Sequence, residues 1–187
     1  MHSFRMARLL VLAIPFYAAT QSDYVSIKHK FELIETERLK PGSRVTLSPQ
    51  ELNAYVREEL PKTVPDGIRE PKLELGSGSA TGSALVDFVK LRKAQGKAPG
   101  WLMRQLLAGE HPVTVVARIQ SSGGRATAEV QSVEISGMTI EGRMLDFLIQ
   151  NYLLPYYPEA KIGQPFELSH RMDRLDIKPN QVAVYIK

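Results

Sequence analysis

His111-Pro112-Val113-Thr114-Val115-Val116-Ala117-Arg118-Ile119-Gln120-Ser121-Ser122-Gly123-Gly124-Arg125-Ala126-Thr127-Ala128-Glu129-Val130-Gln131-Ser132-Val133-Glu134-Ile135 is the stretch that decides the fold class. Val113, Val115, Ala117 and Ile119 alternate with Thr114, Arg118 and Gln120, the period of a half-buried strand. Ser121 to Gly124 turns the chain. Ala126, Ala128 and Val130 bring it back, and Val133 and Ile135 then follow in the opposite phase, so a β-bulge is expected between them.

Outward from this hairpin the pattern stays strand-rich. Ala80 to Leu91 reads as a strand (Ala84, Val86 and Phe88 alternating with Leu85, Asp87 and Val89). It is joined through Gly76-Ser77-Gly78-Ser79 to a strand over 72–76. Val45 and Leu47 form a short strand. Two closing strands span 166–177 and 181–187 around Pro179-Asn180, and Met138-Thr139-Ile140 is a short strand or the approach to the helix that follows. Tyr24 to Leu39 reads as extended, with Val25, Ile27, Phe31 and Leu33 on one side and a bend at His29. Three helices interrupt the strands. Ser48-Pro49-Gln50-Glu51 is a capping box opening a helix with Leu52, Tyr55, Val56 and Leu60 on one face, ended by Pro61. A second runs from about Pro99 to Ala108 after a basic connector, 90–100. A third covers Gly142 to Leu154. The strands form hairpins without βαβ alternation, which predicts an α+β fold: a curved antiparallel sheet of about eight or nine strands wrapped against two or three amphipathic helices.

The N-terminus has the layout of a secretory signal peptide, with Arg5 and Arg8 before an apolar run, Leu9 to Ala19, and small residues at its end. Residues 1–22 are assigned to it, with a retained N-terminal anchor as the alternative, and 23–187 to a single α+β domain. Export to a bacterial periplasm or cell surface follows as an expectation. Without 1–22, which hold two Arg and no acid, the formal net charge falls from +4 to +2. That balance gives no case for nucleic acid as a partner. With no cysteine, an exported chain must draw its stability from its core.

The sequence offers no catalytic set. Gly76 to Gly82 lacks the Gly-Lys-Ser/Thr ending of a phosphate loop. Ser169-His170, with Asp173 and Asp176 nearby, falls on an expected strand, where neighbouring side chains point to opposite faces. Neither the His nor the acidic residues show metal-ligand spacing. The chain is therefore read as a non-enzyme with no cofactor and no metal.

The apolar helices are the remaining signal. In 143–154 only Arg143, Asp146, Gln150 and Asn151 are polar, so apolar residues cover more of the circumference than one sheet contact needs. The surplus implies a deep core position, a ligand or a partner. Trp101, the sole tryptophan, sits beside Arg92, Lys93 and Lys97, which suits a membrane interface as well as a core anchor. Tyr156 and Tyr157 fit an interfacial role in the same way. Trp101, Leu102, Leu106, Met144, Phe147, Leu148 and Tyr152 are the predicted lining of an apolar groove.

Three stretches carry a family resemblance: Leu47-Ser48-Pro49-Gln50-Glu51-Leu52-Asn53, Ala80-Thr81-Gly82-Ser83-Ala84-Leu85-Val86-Asp87-Phe88, and the closing strand-turn-strand Met172 to Val184. Across about 44–187 the chain resembles exported bacterial proteins of the LmeA-like phospholipid-binding family, and more loosely tubular lipid-binding (TULIP) and AsmA-type folds. The resemblance implies a strongly curved antiparallel sheet around a helix with a groove for acyl chains. It transfers no individual binding residue. The expected partner is a lipid or other apolar small molecule, with peripheral contact to a membrane surface. The alternative expectation is a cell-envelope structural or protein-interaction module without a small-molecule ligand.

Overall fold

Residues 14–63, 67–98, 100–156, 158 and 161–187 are described by a computed structural model. The fold is α+β, with its named strands paired antiparallel in a three-stranded and a six-stranded sheet.

The chain enters as a helix, α1 (Ile14–Glu35), where an extended segment was expected over 24–39. The i, i+2 pattern of Val25, Ile27, Phe31 and Leu33 is incidental. The spacing that decides is Ile27, Phe31 and Ile34, three or four residues apart and so on one helical face. Ile27 is 0% exposed and Ile34 is buried, whereas Val25 is 66% exposed. Residue 22, the expected end of the leader, lies inside α1; residues 1–13 lie outside the described residues.

Next come β1 (Arg44–Leu47) and α2 (Pro49–Thr63). The capping box forms as the sequence indicates: Ser48 N–H donates to Glu51 Oε2 at 2.8 Å and Glu51 N–H to Ser48 Oγ at 3.2 Å. The helix runs past Pro61 to Thr63, because a proline in the last turn forfeits only one hydrogen bond. β1 pairs with β9 (Gln181–Ile186), which pairs with β8 (Met172–Lys178). Ile27, Ile34, Val45, Leu47, Val184 and Ile186 form one buried cluster, joined by Phe31, Leu52 and Tyr55.

The six-stranded sheet holds β2 (Ile68–Leu75), β3 (Ser79–Val86), β4 (His111–Ser122), β5 (Arg125–Ile135) and β6 (Met138–Thr139) in sequence order, with β7 (Phe166–Glu167) also on β5. The β4–β5 hairpin turns on Gly123 and Gly124, both at positive φ (58° and 80°), as a tight turn matched to strand twist requires. Val116 faces Ser132 and Ala117 faces Val130, so Gln131 is the extra residue of the expected bulge. The strand expected over 80–91 stops at Val86. Asp87 instead caps a helix, α3 (Phe88–Ala94), by accepting from Lys90 N–H at 2.9 Å. Alternation had carried the strand too far because Phe88 and Leu91, three apart, bury on one helical face. After α4 (Trp101–Leu106) and β4 to β6 the chain forms α5 (Gly142–Leu148), continued by a π-helical turn, Ile149–Leu153.

The two sheets are joined through side chain and backbone. Ser121 Oγ accepts from Leu175 N–H at 2.7 Å and donates to Leu175 C=O at 2.9 Å. Gly78 N–H donates to Ile177 C=O at 2.9 Å, and Gly124 N–H to Asp173 C=O at 2.7 Å. On α2, Asn53 forms paired bonds with the backbone of Leu73 (2.7 and 2.8 Å), acting as a neighbour for edge strand β2.

Candidate functional site

The second buried cluster, Val86, Phe88, Leu91, Val133 and Ile135, lies between the larger sheet and the helices. α5 and its π-helical continuation lay Leu145, Leu148 and Tyr152 against it. These residues, at i, i+3 and i+7, are one stripe of the helix. The Tyr152 ring meets Phe88 edge-on at 5.2 Å between centroids. Burial raises the Tyr152 phenol pKa, with Arg92 pulling the other way, so this ring carries a neutral hydroxyl at physiological pH.

The adjacent stripe is different. Met144 and Phe147 stand one position earlier in each turn and are 56% and 38% exposed. Met138, just before the helix, is 65% exposed. Asn151 ends this stripe and ties it to α3: Arg92 Nη1 donates to its Oδ1 at 3.1 Å and Gln95 Nε2 to its carbonyl at 3.0 Å. Tyr156 Oη donates to Leu91 C=O at 3.1 Å across the same junction; its neighbour Tyr157 lies outside the described residues. The surplus apolar surface of the helix thus has a definite location. One stripe is partly buried against the core, and its neighbour faces outward over 138–147.

Trp101, at the start of α4, is 69% exposed. Leu102 and Leu106 belong to α4, but their side chains lie outside the described residues. The structure therefore gathers Leu148 and Tyr152 on the core stripe, places Met144 and Phe147 beside them facing solvent, and sets Trp101 on a separate short helix. Two cavities occur elsewhere. One, of ≈ 550 Å³, runs along α1 between Tyr24, Lys28, Phe31 and Tyr55. The other, of ≈ 270 Å³, lies by Gln120, Arg125 and Thr127. Trp101, Met144, Phe147, Leu148 and Tyr152 line neither one. Sequence reasoning missed Met138 and the Asn151 junction. An exposed methionine directly after a buried hairpin strand was the signal for the first.

Ser169 and His170 lie on an exposed turn, not on the expected strand; positive φ at His170 and Arg171 (53° and 57°) reverses the chain between β7 and β8. Among the described residues, no cluster of three His, Asp or Glu side chains has metal-binding geometry. Among them, too, no helix is long and apolar enough to cross a membrane. Compared with known families and curated proteins, the chain matches no family model and no curated sequence.

Proposed function

We propose that the protein is an exported, non-enzymatic binder of a lipid or another apolar ligand, held along the outward apolar stripe of α5 beside the larger sheet. The observation that carries this reading is the outward apolar stripe of α5 with Met138, set directly beside a partly buried stripe that packs against the second core cluster. A helix whose only task is packing has no use for a second apolar stripe, and water penalises leaving it bare. Methionine and phenylalanine adapt well to an irregular flexible chain. Each methylene taken from water contributes about 0.8 kcal/mol, so roughly ten give ~8 kcal/mol, a micromolar affinity. An acyl chain meets that requirement and a small polar metabolite does not. The resemblance of 44–187 to LmeA-type, TULIP and AsmA-type proteins supports the same reading.

The test is native mass spectrometry of protein taken gently from its own cell envelope. Wild type is expected to carry lipid mass, and the double variant M144D/F147D to lose it while keeping its circular dichroism. Lipid-free wild type would sink the proposal. A second reading, a cell-envelope interaction module, draws on the same stripe: a second copy or protein partner would cover it. Concentration-dependent dimerisation abolished by M144D/F147D, with no bound lipid, would favour that reading.

A further inference from the structure

The segment from α3 through α4 is basic and carries no acid. Residues 88–109 hold Lys90, Arg92, Lys93, Lys97 and Arg104 and no Asp or Glu. Lys90 faces Asp87 at 3.9 Å, and Arg92 is bound to Asn151. Lys93, Lys97 and Arg104 are exposed and have no ion-pair partner among the described residues. Trp101 projects from the same segment.

Both ends of this segment are fixed. Leu91 is buried in the second core cluster, and Leu107 packs against that same cluster. The exit from α3 is also set: Gly96, at φ 70°, donates to Lys93 C=O at 2.9 Å, and Lys97 N–H reaches Arg92 C=O at 3.1 Å. This is a Schellman ending, which leaves the chain little freedom where the loop begins. The segment thus presents one large exposed amphipathic aromatic and three exposed cations that have no ion-pair partner among the described residues.

We propose that Lys93, Lys97, Trp101 and Arg104 form a docking surface for an anionic bilayer, with Trp101 at the headgroup level and the three cations over the phosphates. The proposal builds on the lipid-binding reading, since a protein that takes up lipid must reach a membrane. Charge complementarity selects the occupant. Exposed cations with no ion-pair partner among the described residues favour an anionic surface, and tryptophan suits the boundary between headgroup and acyl chain. An acidic protein or nucleic acid would satisfy the cations and leave the indole without its apolar half-space.

Because Trp101 is the only tryptophan, its emission reports this loop alone. The full chain is mixed with vesicles of phosphatidylcholine, or of phosphatidylcholine with phosphatidylglycerol, and followed by Trp emission and co-sedimentation. The expected result is a blue shift and partitioning on the phosphatidylglycerol vesicles, reversed by high salt. In the variant K93Q/K97Q/R104Q, checked by circular dichroism, affinity should fall about fivefold per cation and on the order of a hundredfold in all. Unshifted emission on anionic vesicles overturns the proposal, as does equal partitioning of variant and wild type. Binding to polyglutamate or an oligonucleotide without binding to vesicles also overturns it, in favour of an acidic macromolecule. The ligand reading is separable. Wild type that partitions onto anionic vesicles yet co-purifies no lipid upholds the loop and overturns the ligand. Co-purified lipid with no partitioning does the reverse.

Discussion

Glu51 joins three elements. Its carboxylate accepts from Lys30 Nζ at 2.6 and 2.8 Å and from Ser26 Oγ at 2.6 Å, both on α1, and from Ser48 N–H at the start of α2. Lys30 Nζ also donates to Thr46 C=O on β1 at 2.7 Å. Glu51 is only 6% exposed. Burial pushes its carboxyl pKa up, but the Lys30, Ser26 and Ser48 bonds outweigh that, so the net shift is below the ordinary value of 4.5. A depressed carboxyl stabilises the fold fully above its unfolded pKa, and the contribution is lost as pH falls through the lower folded value. Glu51→Gln should therefore cost about 1–3 kcal/mol near neutrality, with a deficit that shrinks in acid below about pH 4.5. Urea melts of both proteins at neutral and acid pH check this; a deficit that stays constant with pH would refute the charge's role. The capping box was legible in the sequence, since Ser48 and Glu51 are three apart. The Lys30 partnership was not, because Lys30 was placed on a strand.

At the scale of elements, α5 is a helix of two adjacent apolar stripes with opposite environments. Phe88→Ala removes the ring that Tyr152 meets and opens the second core cluster, so it should cost roughly 3–5 kcal/mol. Met144→Ala, on the outward stripe, should change stability by less than about 0.5 kcal/mol. Chemical denaturation of the two variants measures the contrast; a large loss for Met144→Ala would mean that its stripe is packed. The sequence located this helix and its excess of apolar residues. Composition could not divide the stripes, because Leu145 and Met144 are equally apolar and differ only in which side of the helix meets the sheet. The same limit applies to 87–94, where strand alternation and a capped helical turn compete. Packing of Phe88 and Leu91 together decides for the helix.

The whole molecule has two core clusters and two sheets, and Ser121 is a principal seam between them. Its hydroxyl serves both backbone groups of Leu175, far away in sequence. Ser121→Ala leaves that N–H and C=O without these partners and should lower stability by about 1–3 kcal/mol. If the seam couples the two halves, the variant should also broaden or split the thermal transition. Calorimetry reads both effects, and an unchanged, single transition would show that the halves are coupled by other means. Nothing in the sequence near Ser121 marks it: Ser122 is its equal in type and context, and only the crossing of β4 with β8 tells them apart.

The sequence by itself determined the antiparallel hairpins, a bulge between Val130 and Val133, the Ser48 capping box, the double-glycine turn and the apolar excess of 143–154. Each is local chemistry, fixed by side-chain period, φ preference or a hydrogen bond spanning a few residues. The tertiary structure alone decided that 24–35 is helical and that 88–94 leaves the sheet. It also divided the strands between two sheets and left one stripe of α5 exposed. These outcomes depend on what distant residues bury, and burial against a partner far along the chain outweighs local periodicity wherever two periods fit the same residues.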